Sequence, residues 1–237
     1  MLGNYVNLIM IVIGSIVGLL VKKGLKDKYK KTIMQAIGLS VIFIGASGAI
    51  SGLLNPDSEP VLFIISLVIG GIIGEVVGVE NALEKLGMLL QRKVGATEHN
   101  IAQGFVTASL IFCVGTMAII GSLESGLMGD HNILFAKSIL DGVTSIILAS
   151  TLGIGVIFSA VAVFIYQGAI IVFAGFLEPL LTAEVIREIS IIGGILIFGI
   201  GTNMLEITKI KTANLLPAII VPVLYYTLFV PLLRLFG

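Results

Sequence analysis

Apolar residues occur in long continuous runs, each close to 20 residues, separated by short polar or charged segments. Runs of this length are typical of helices that cross the ~30 Å hydrocarbon layer of a bilayer. A membrane barrel would instead need segments of about ten residues in which apolar and polar residues alternate. The pattern therefore predicts an all-α integral membrane protein, a polytopic bundle of about eight transmembrane helices. The predicted spans are approximately 4–21, 33–54, 61–79, 102–122, 132–150, 153–176, 188–205 and 214–234.

The predicted spans belong to a single transmembrane domain, residues 1–237, with two segments whose structure the pattern leaves open. Almost no loop separates the fifth span from the sixth around Gly153. We expect a tight hairpin there, the alternative being a broken or re-entrant helix buried within the protein. Residues 80–93 place apolar side chains at helical spacing opposite charged ones. This pattern predicts either a helix at the cytoplasmic interface or a cytoplasmic extension of the third span.

Charge distribution indicates how the chain is oriented. Lysines dominate the segments after the first, third and seventh predicted spans, whereas Asp and Glu dominate the segments on the opposite side. By the positive-inside rule, the Lys-rich loops are cytoplasmic and both termini face outward, in a multi-pass protein of the cell (inner) membrane. Charged residues make up 12% of the chain and the formal net charge is zero. A nucleic-acid partner therefore has no electrostatic support.

Short sequence matches suggest an internal repeat. Residues 38–43 resemble residues 153–158, residues 69–72 resemble 192–195, and residues 4–14 align with 132–142. These matches keep their order, which predicts two four-helix halves of the same orientation, 1–122 and 132–237. The alternative is chance similarity between segments that are all rich in Gly, Ile and Val. Glycines at four-residue spacing inside the spans also predict close helix packing and a homo-oligomer.

Two charged residues, Lys137 and Asp141, lie inside the fifth predicted span. Each costs about 2.5–3.5 kcal/mol at the centre of a bilayer on insertion scales, so each needs a partner. Four residues apart on one helix, they lie on the same face and can neutralise each other. Asp141 near mid-membrane could then bind a monovalent cation or a proton, with Lys137 as its counter-ion. The alternative is a structural ion pair that sets the register of the helix.

Other polar side chains could complete a binding site around Asp141. Ser138, Thr144 and Ser145 recur at spacings of three and four on the same helix. Thr107 and Ser109 form part of a polar stripe in the fourth span, although such hydroxyls often bond the backbone of their own helix. Further candidates in later spans are the amides Gln167 and Asn203, for which packing or capping is the alternative.

Sequence motifs give no support for an enzyme. His99 and His131 are isolated in loops on opposite sides, so no metal cluster is predicted. No Walker sequence is present. We therefore expect no catalytic residues, no cofactor and no enzymatic activity.

Several blocks resemble one known family. They are residues 107–118, 126–131, Lys137-Ser138-Ile139-Leu140-Asp141-Gly142, 153–159, 166–168 and 214–217. Together they resemble the "domain of unknown function 554" family of uncharacterised bacterial multi-pass inner-membrane proteins. Thr116 stands where such proteins often have proline. The resemblance covers nearly the whole chain and implies a location and an architecture, but no substrate.

The sequence thus favours a secondary transporter or ion-conducting protein for a small polar solute or cation. Its partners would be the lipid bilayer, that solute or cation, and further copies of the chain. The alternative is a non-transporting membrane sensor or assembly module in which Lys137 and Asp141 form a structural pair.

Overall fold

The structure is a computed structural model that describes residues 1–24, 27–82, 85, 101–113 and 116–231. Its helices are α1 Leu2–Gly24, α2 Asp27–Leu53, α3 Pro60–Val77, α4 Ile101–Cys113, α5 Thr116–Leu127, α6 Asn132–Leu152, α7 Gly155–Val172, the short α8 Ala174–Leu177 and α9 Ala183–Met204. The C-terminal span, Thr212–Phe229, begins as a 3₁₀ helix (Thr212–Ile219), continues through Ile220–Leu224 as an α-helix and ends as a π-helix (Tyr225–Phe229). No strand occurs in these described ranges.

The all-α polytopic membrane fold predicted from the sequence is confirmed. Among the described residues, seven helices are long and apolar enough to cross a membrane: α1, α2, α3, α6, α7, α9 and the C-terminal span. Helices α4 and α5 together make an eighth if the bent pair counts as one span. The two are inclined by 60°, so the predicted continuous helix over 102–122 is wrong in this respect.

Helices α6 and α7 form the tight hairpin that the spacing predicts. Only Gly153 and Ile154 separate them, and Gly153 has a φ of 79°, a conformation that favours glycine. Asn7 of α1 hydrogen-bonds to Asp141 before this junction and to Gln167 after it. Because both residues reach the same side chain, α7 must fold back along α6 instead of continuing it.

The helices pack in two groups that do not follow the order of the chain. Helix α1 packs most extensively on α6 and also contacts α7, while α4 and α5 pack mainly on α7. Helix α2 packs on α9, and α3 packs on the start of the C-terminal span. We call α1 and α4–α7 the first group, and α2, α3, α9 and the C-terminal span the second group. The internal repeat of 1–122 and 132–237 stays a prediction.

Glycines bring the backbones of paired helices into direct contact. Gly14 of α1 faces the carbonyl oxygen of Gly142 on α6, and Gly45 of α2 faces the backbone at Gly194 on α9. Gly74 of α3 meets the backbone at the start of the C-terminal span. A Cβ atom at any of these positions would overlap the facing chain. The glycines therefore serve the close packing expected of small residues in membrane helices.

Most of the amphipathic segment predicted for 80–93 lies outside the described residues. Residues 79–82 are helical, directly after Gly78, whose φ of 72° ends α3.

Candidate functional site

The charged pair on α6 is buried inside the protein. The Lys137 ammonium contacts the Asp141 carboxylate directly, and the two side chains are 5% and 9% exposed. Both residues lie on the buried face of a helix that presents Ile139, Leu140 and Val143 outward. With a rise of about 1.5 Å per residue, Asp141 lies roughly 14 Å along α6 from its first residue, near the middle of a span.

Two amide side chains from neighbouring helices complete this site. The Asn7 amide nitrogen of α1 donates to Asp141 Oδ2 at 3.0 Å and to Gln167 Oε1 of α7 at 3.2 Å. Asn7 and Gln167 are completely buried. We call Asn7, Lys137, Asp141 and Gln167 the polar cluster. It ties three helices of the first group together at one depth.

The polar cluster retains unused hydrogen-bonding capacity. Among the described residues, Asn7 Oδ1 and Gln167 Nε2 are buried without a hydrogen-bond partner. A neighbouring amide, Asn4, donates to the Phe164 carbonyl at 2.9 Å, but its Oδ1 is also unpartnered. A buried unpaired polar group costs about 1–3 kcal/mol. Because an amide offers both oxygen and nitrogen, rotation of these side chains would exchange donors for acceptors within the cluster.

Helix α4 reaches the polar cluster close to the bend between α4 and α5. The Lys137 ammonium lies 5.8 Å from the centroid of the Phe112 ring, within the range of a cation–π interaction. Phe112 is buried and is the penultimate residue of α4. Helix α4 therefore ends directly beside the buried charged pair.

The other α6 candidates, Ser138, Thr144 and Ser145, differ in burial and in hydrogen-bond partners. Ser138 Oγ donates to the Leu134 carbonyl of its own helix at 2.6 Å. Ser145 is buried where Gly14 of α1 approaches α6, and its hydroxyl has no partner among the described residues. Thr144 is only half-buried. These hydroxyls are therefore near the charged pair in sequence, but none bonds to it in the described structure.

The candidates outside α6 differ in the same way. Gln167 is in the polar cluster, as described above. Thr107 and Ser109 lie on α4, where Thr107 is buried and the Ser109 hydroxyl has no described partner. Asn203 instead holds the turn after α9, where it accepts from Thr208 and bonds both backbone groups of Ile210. Asn203 thus has a local structural role, separate from the polar cluster.

Asn7 was not among the residues singled out in the sequence, although it bonds the central carboxylate. The available signal was an amide inside the apolar first run, since Asn4 and Asn7 lie one turn apart on one helix face. Their partners lie 134 to 160 positions further along the chain, so spacing within the first helix could not identify them.

A second set of polar side chains, separate from the polar cluster, fixes the C-terminal end of α3. Glu75 accepts from Lys211 at 2.7 Å and from the Asn214 amide at 2.6 Å, and the Glu80 backbone N–H donates to Asn214 Oδ1. The hydrogen bond to Glu75 raises the pKa of Lys211, which lies just before the C-terminal span. Both charged side chains are largely exposed, which is typical of an interfacial pair.

The donor set of the polar cluster is unlike that of a transition-metal site. Within the ranges that the structure describes, no three or more His, Cys, Asp or Glu side chains converge to hold a metal ion. One carboxylate with amide oxygens is a hard oxygen set, which suits a small monovalent cation or a proton.

The helices and the buried charged pair define a polytopic α-helical membrane protein with a polar site in its interior. The chain belongs to the family described as Protein of unknown function (DUF554), which matches residues 2–227 and confirms the resemblance. It is 42% identical over 223 residues to "Uncharacterized membrane protein YdfK" of Bacillus subtilis (strain 168), covering 94% of each chain. It is 29% identical over 225 residues to "Uncharacterized protein YqgA" of Escherichia coli (strain K12), covering 92% of this chain and 93% of that one. No solved structure matches.

Proposed function

We propose that this protein is a secondary transporter or ion-conducting membrane protein for a small polar solute or cation. Asp141 binds the coupling cation or proton, and Lys137 is the counter-ion that it displaces. The observation that carries the proposal is the buried Lys137–Asp141 pair. Asp141 accepts from the Asn7 amide of α1, which also donates to Gln167 of α7.

Energetics support a task for this pair beyond holding the fold. Charges inside a bilayer are expensive, and well-packed apolar residues often replace a buried ion pair without loss of stability. Mid-membrane ion sites in transporters are commonly built beside interrupted helices. Lys137 lies beside the last turn of α4, close to its bend with α5.

The polar cluster can supply cation ligands once Lys137 moves away. Asp141 would offer carboxylate oxygens, and rotation of the Asn7 and Gln167 amides would offer two more. Small cations such as Na⁺ prefer oxygen ligands of this kind. A positive charge arriving at Asp141 would repel the Lys137 ammonium, so binding would couple to a rearrangement of α6 against α1 and α7.

A specific observation favours the second candidate, a sensor or assembly module. Lys137 and Asp141 contact each other directly and are each less than one-tenth exposed, so they already neutralise each other. A pair of this kind would fix the register of α6 without binding any solute.

The test is electrical current from proteoliposomes on a solid-supported membrane, under Na⁺, K⁺ and pH jumps. We expect a cation-triggered current in the wild type that Asp141→Asn abolishes, whereas the loop control Asp130→Asn retains it. A pH-sensitive dye trapped in the same liposomes detects electroneutral exchange. A wild-type response that survives in Asp141→Asn would remove Asp141 from the mechanism. The absence of any response would favour the structural pair.

A further inference from the structure

A lateral groove lies between α3 and the C-terminal span, in the second helix group and separate from the polar cluster. Its volume is about 500 Å³, and its walls include Leu62, Ile69 and Leu228. From Glu59, at the start of α3, to Ile69 the groove extends roughly 15 Å along the helix axis. Val61, Leu228 and other wall residues are largely exposed, so the groove opens sideways toward the bilayer.

Polar groups occur at one end of the groove only. Glu59 and Tyr225 are its polar lining residues, and the Tyr225 hydroxyl donates to Glu59 Oε2 at 3.0 Å. In the part of the chain that the structure describes, Glu59 has no cationic partner. The nearby Arg187 is engaged elsewhere, with Glu188 at 3.7 Å and with the Asp57 carbonyl oxygen. The groove thus combines a long apolar wall with one unneutralised carboxylate at the membrane face.

The backbone beside this carboxylate is unusual. Tyr225–Phe229 forms a π-helix, and Tyr225, Leu228 and Phe229 all line the groove. π-helical turns are rare and often occur at functional sites. The Tyr225 and Phe229 rings stack with centroids 5.7 Å apart, which gives the groove a firm aromatic edge at its polar end.

We propose that this groove binds a membrane amphiphile with an alkyl chain and a cationic ammonium head group. The chain lies along α3 toward Ile69, where apolar burial stabilises it. The ammonium lies against the Glu59 carboxylate, where Tyr225 fixes the carboxylate orientation. Charge complementarity selects this occupant, because an anionic head group would be repelled by Glu59 and a neutral one would gain at most a hydrogen bond without charge attraction.

The test uses fluorescence quenching in nanodiscs. The chain contains no tryptophan, so Leu228→Trp places a single reporter in the groove. The probes are dodecyl chains brominated at the tail and bearing an ammonium, a sulfate or a neutral hydroxyl head. Val172→Trp, on the lipid-exposed side of α7, reports ordinary lipid contact. Glu59→Gln is introduced into the Leu228→Trp background, with Glu178→Gln, another exposed acid, as its matched control.

We expect the ammonium probe to quench Leu228→Trp at roughly two- to fivefold lower mole fraction than the neutral probe, as for an exposed ion pair. Glu59→Gln should remove this preference, whereas Glu178→Gln should retain it. The Val172→Trp reporter should show no preference among the three probes. Equal quenching by all three probes would mean that ordinary lipid fills the groove. Protection from every probe would mean that a second copy covers it. Either result would overturn the proposal, and neither bears on Asp141.

Discussion

Removing one member of the Lys137–Asp141 pair leaves the other charge buried. In Lys137→Met, the hydrogen bond from Asn7 is the one partner that the Asp141 carboxylate keeps among the described residues. In Asp141→Asn, the Lys137 ammonium has no carboxylate partner among the described residues, and keeps the ring of Phe112 and at most an amide oxygen. Removing one partner of a buried pair typically costs about 3–5 kcal/mol. For a chain of this size that corresponds to a fall in Tm of about 6–20 °C, at roughly 2–4 °C per kcal/mol.

The double variant Lys137→Met/Asp141→Asn has no buried charge at this site. Methionine is unbranched and apolar and can fill the space of the lysine stem. We therefore expect its free energy of unfolding to lie within about 1 kcal/mol of the wild type, since neutral replacements of buried pairs are often tolerated. The coupling energy between the two substitutions would then be at least about 5 kcal/mol, because each single variant leaves one buried charge unpaired. This exceeds the roughly 0.5–3 kcal/mol usual for residues in contact.

The assay is reversible unfolding in mixed micelles with SDS as the denaturant, followed for the wild type, both single variants and the double variant. Single substitutions that each cost less than about 1 kcal/mol would show that the pair is hydrated and would refute the reasoning. A double variant as unstable as the sum of the two single variants would refute it as well. The stable double variant also separates the two candidate functions. A transporter would lose its cation-triggered current in this folded variant, whereas a non-transporting module would show no current in either protein.

Two further predictions concern packing and orientation. Gly14→Ala should lower the free energy of unfolding by about 1–3 kcal/mol, because the new methyl overlaps the facing backbone of α6. It should also lower the yield of monodisperse protein on size-exclusion chromatography. Gly175→Ala, which has nothing within 4 Å of the added Cβ, should change neither quantity. In a variant without the native cysteine, a cysteine at Asp57 should react with an impermeant maleimide in intact spheroplasts, and one at Lys209 only after permeabilisation. The reverse labelling pattern would invert the predicted topology.

The sequence predicts contacts within one helix better than contacts between helices. The separation of Lys137 and Asp141 by four residues is a helical repeat, so their pairing follows from local geometry. The same holds for the hairpin at Gly153, where two complete spans leave no room for a loop. The role of Asn7 could not be predicted, because it depends on which helix α1 packs against. The bend between α4 and α5 could not be predicted because residues 102–122 contain neither a charged residue nor a proline to mark a break.

Asn203 illustrates a second limit. An amide near the end of a span is equally compatible with a binding site and with a cap for the following turn. The structure places it with Thr208 and Ile210, where the turn after α9 provides three hydrogen bonds. Only the path of the chain beyond the helix distinguishes these alternatives, and that path is set by the packing of the C-terminal span on α3.

The pairing of α1 with α6 has a consequence for biosynthesis. The first helix enters the membrane with Asn4 and Asn7 exposed to lipid, since their hydrogen-bond partners lie 134 to 160 residues further along the chain. At about 5–20 residues per second, the ribosome takes roughly 7–30 s to deliver those partners. During this interval α2 to α5 are also synthesised before their main partners exist. The nascent chain must therefore hold five helices at the translocon, or among lipid, until the second half of the protein emerges to enclose them.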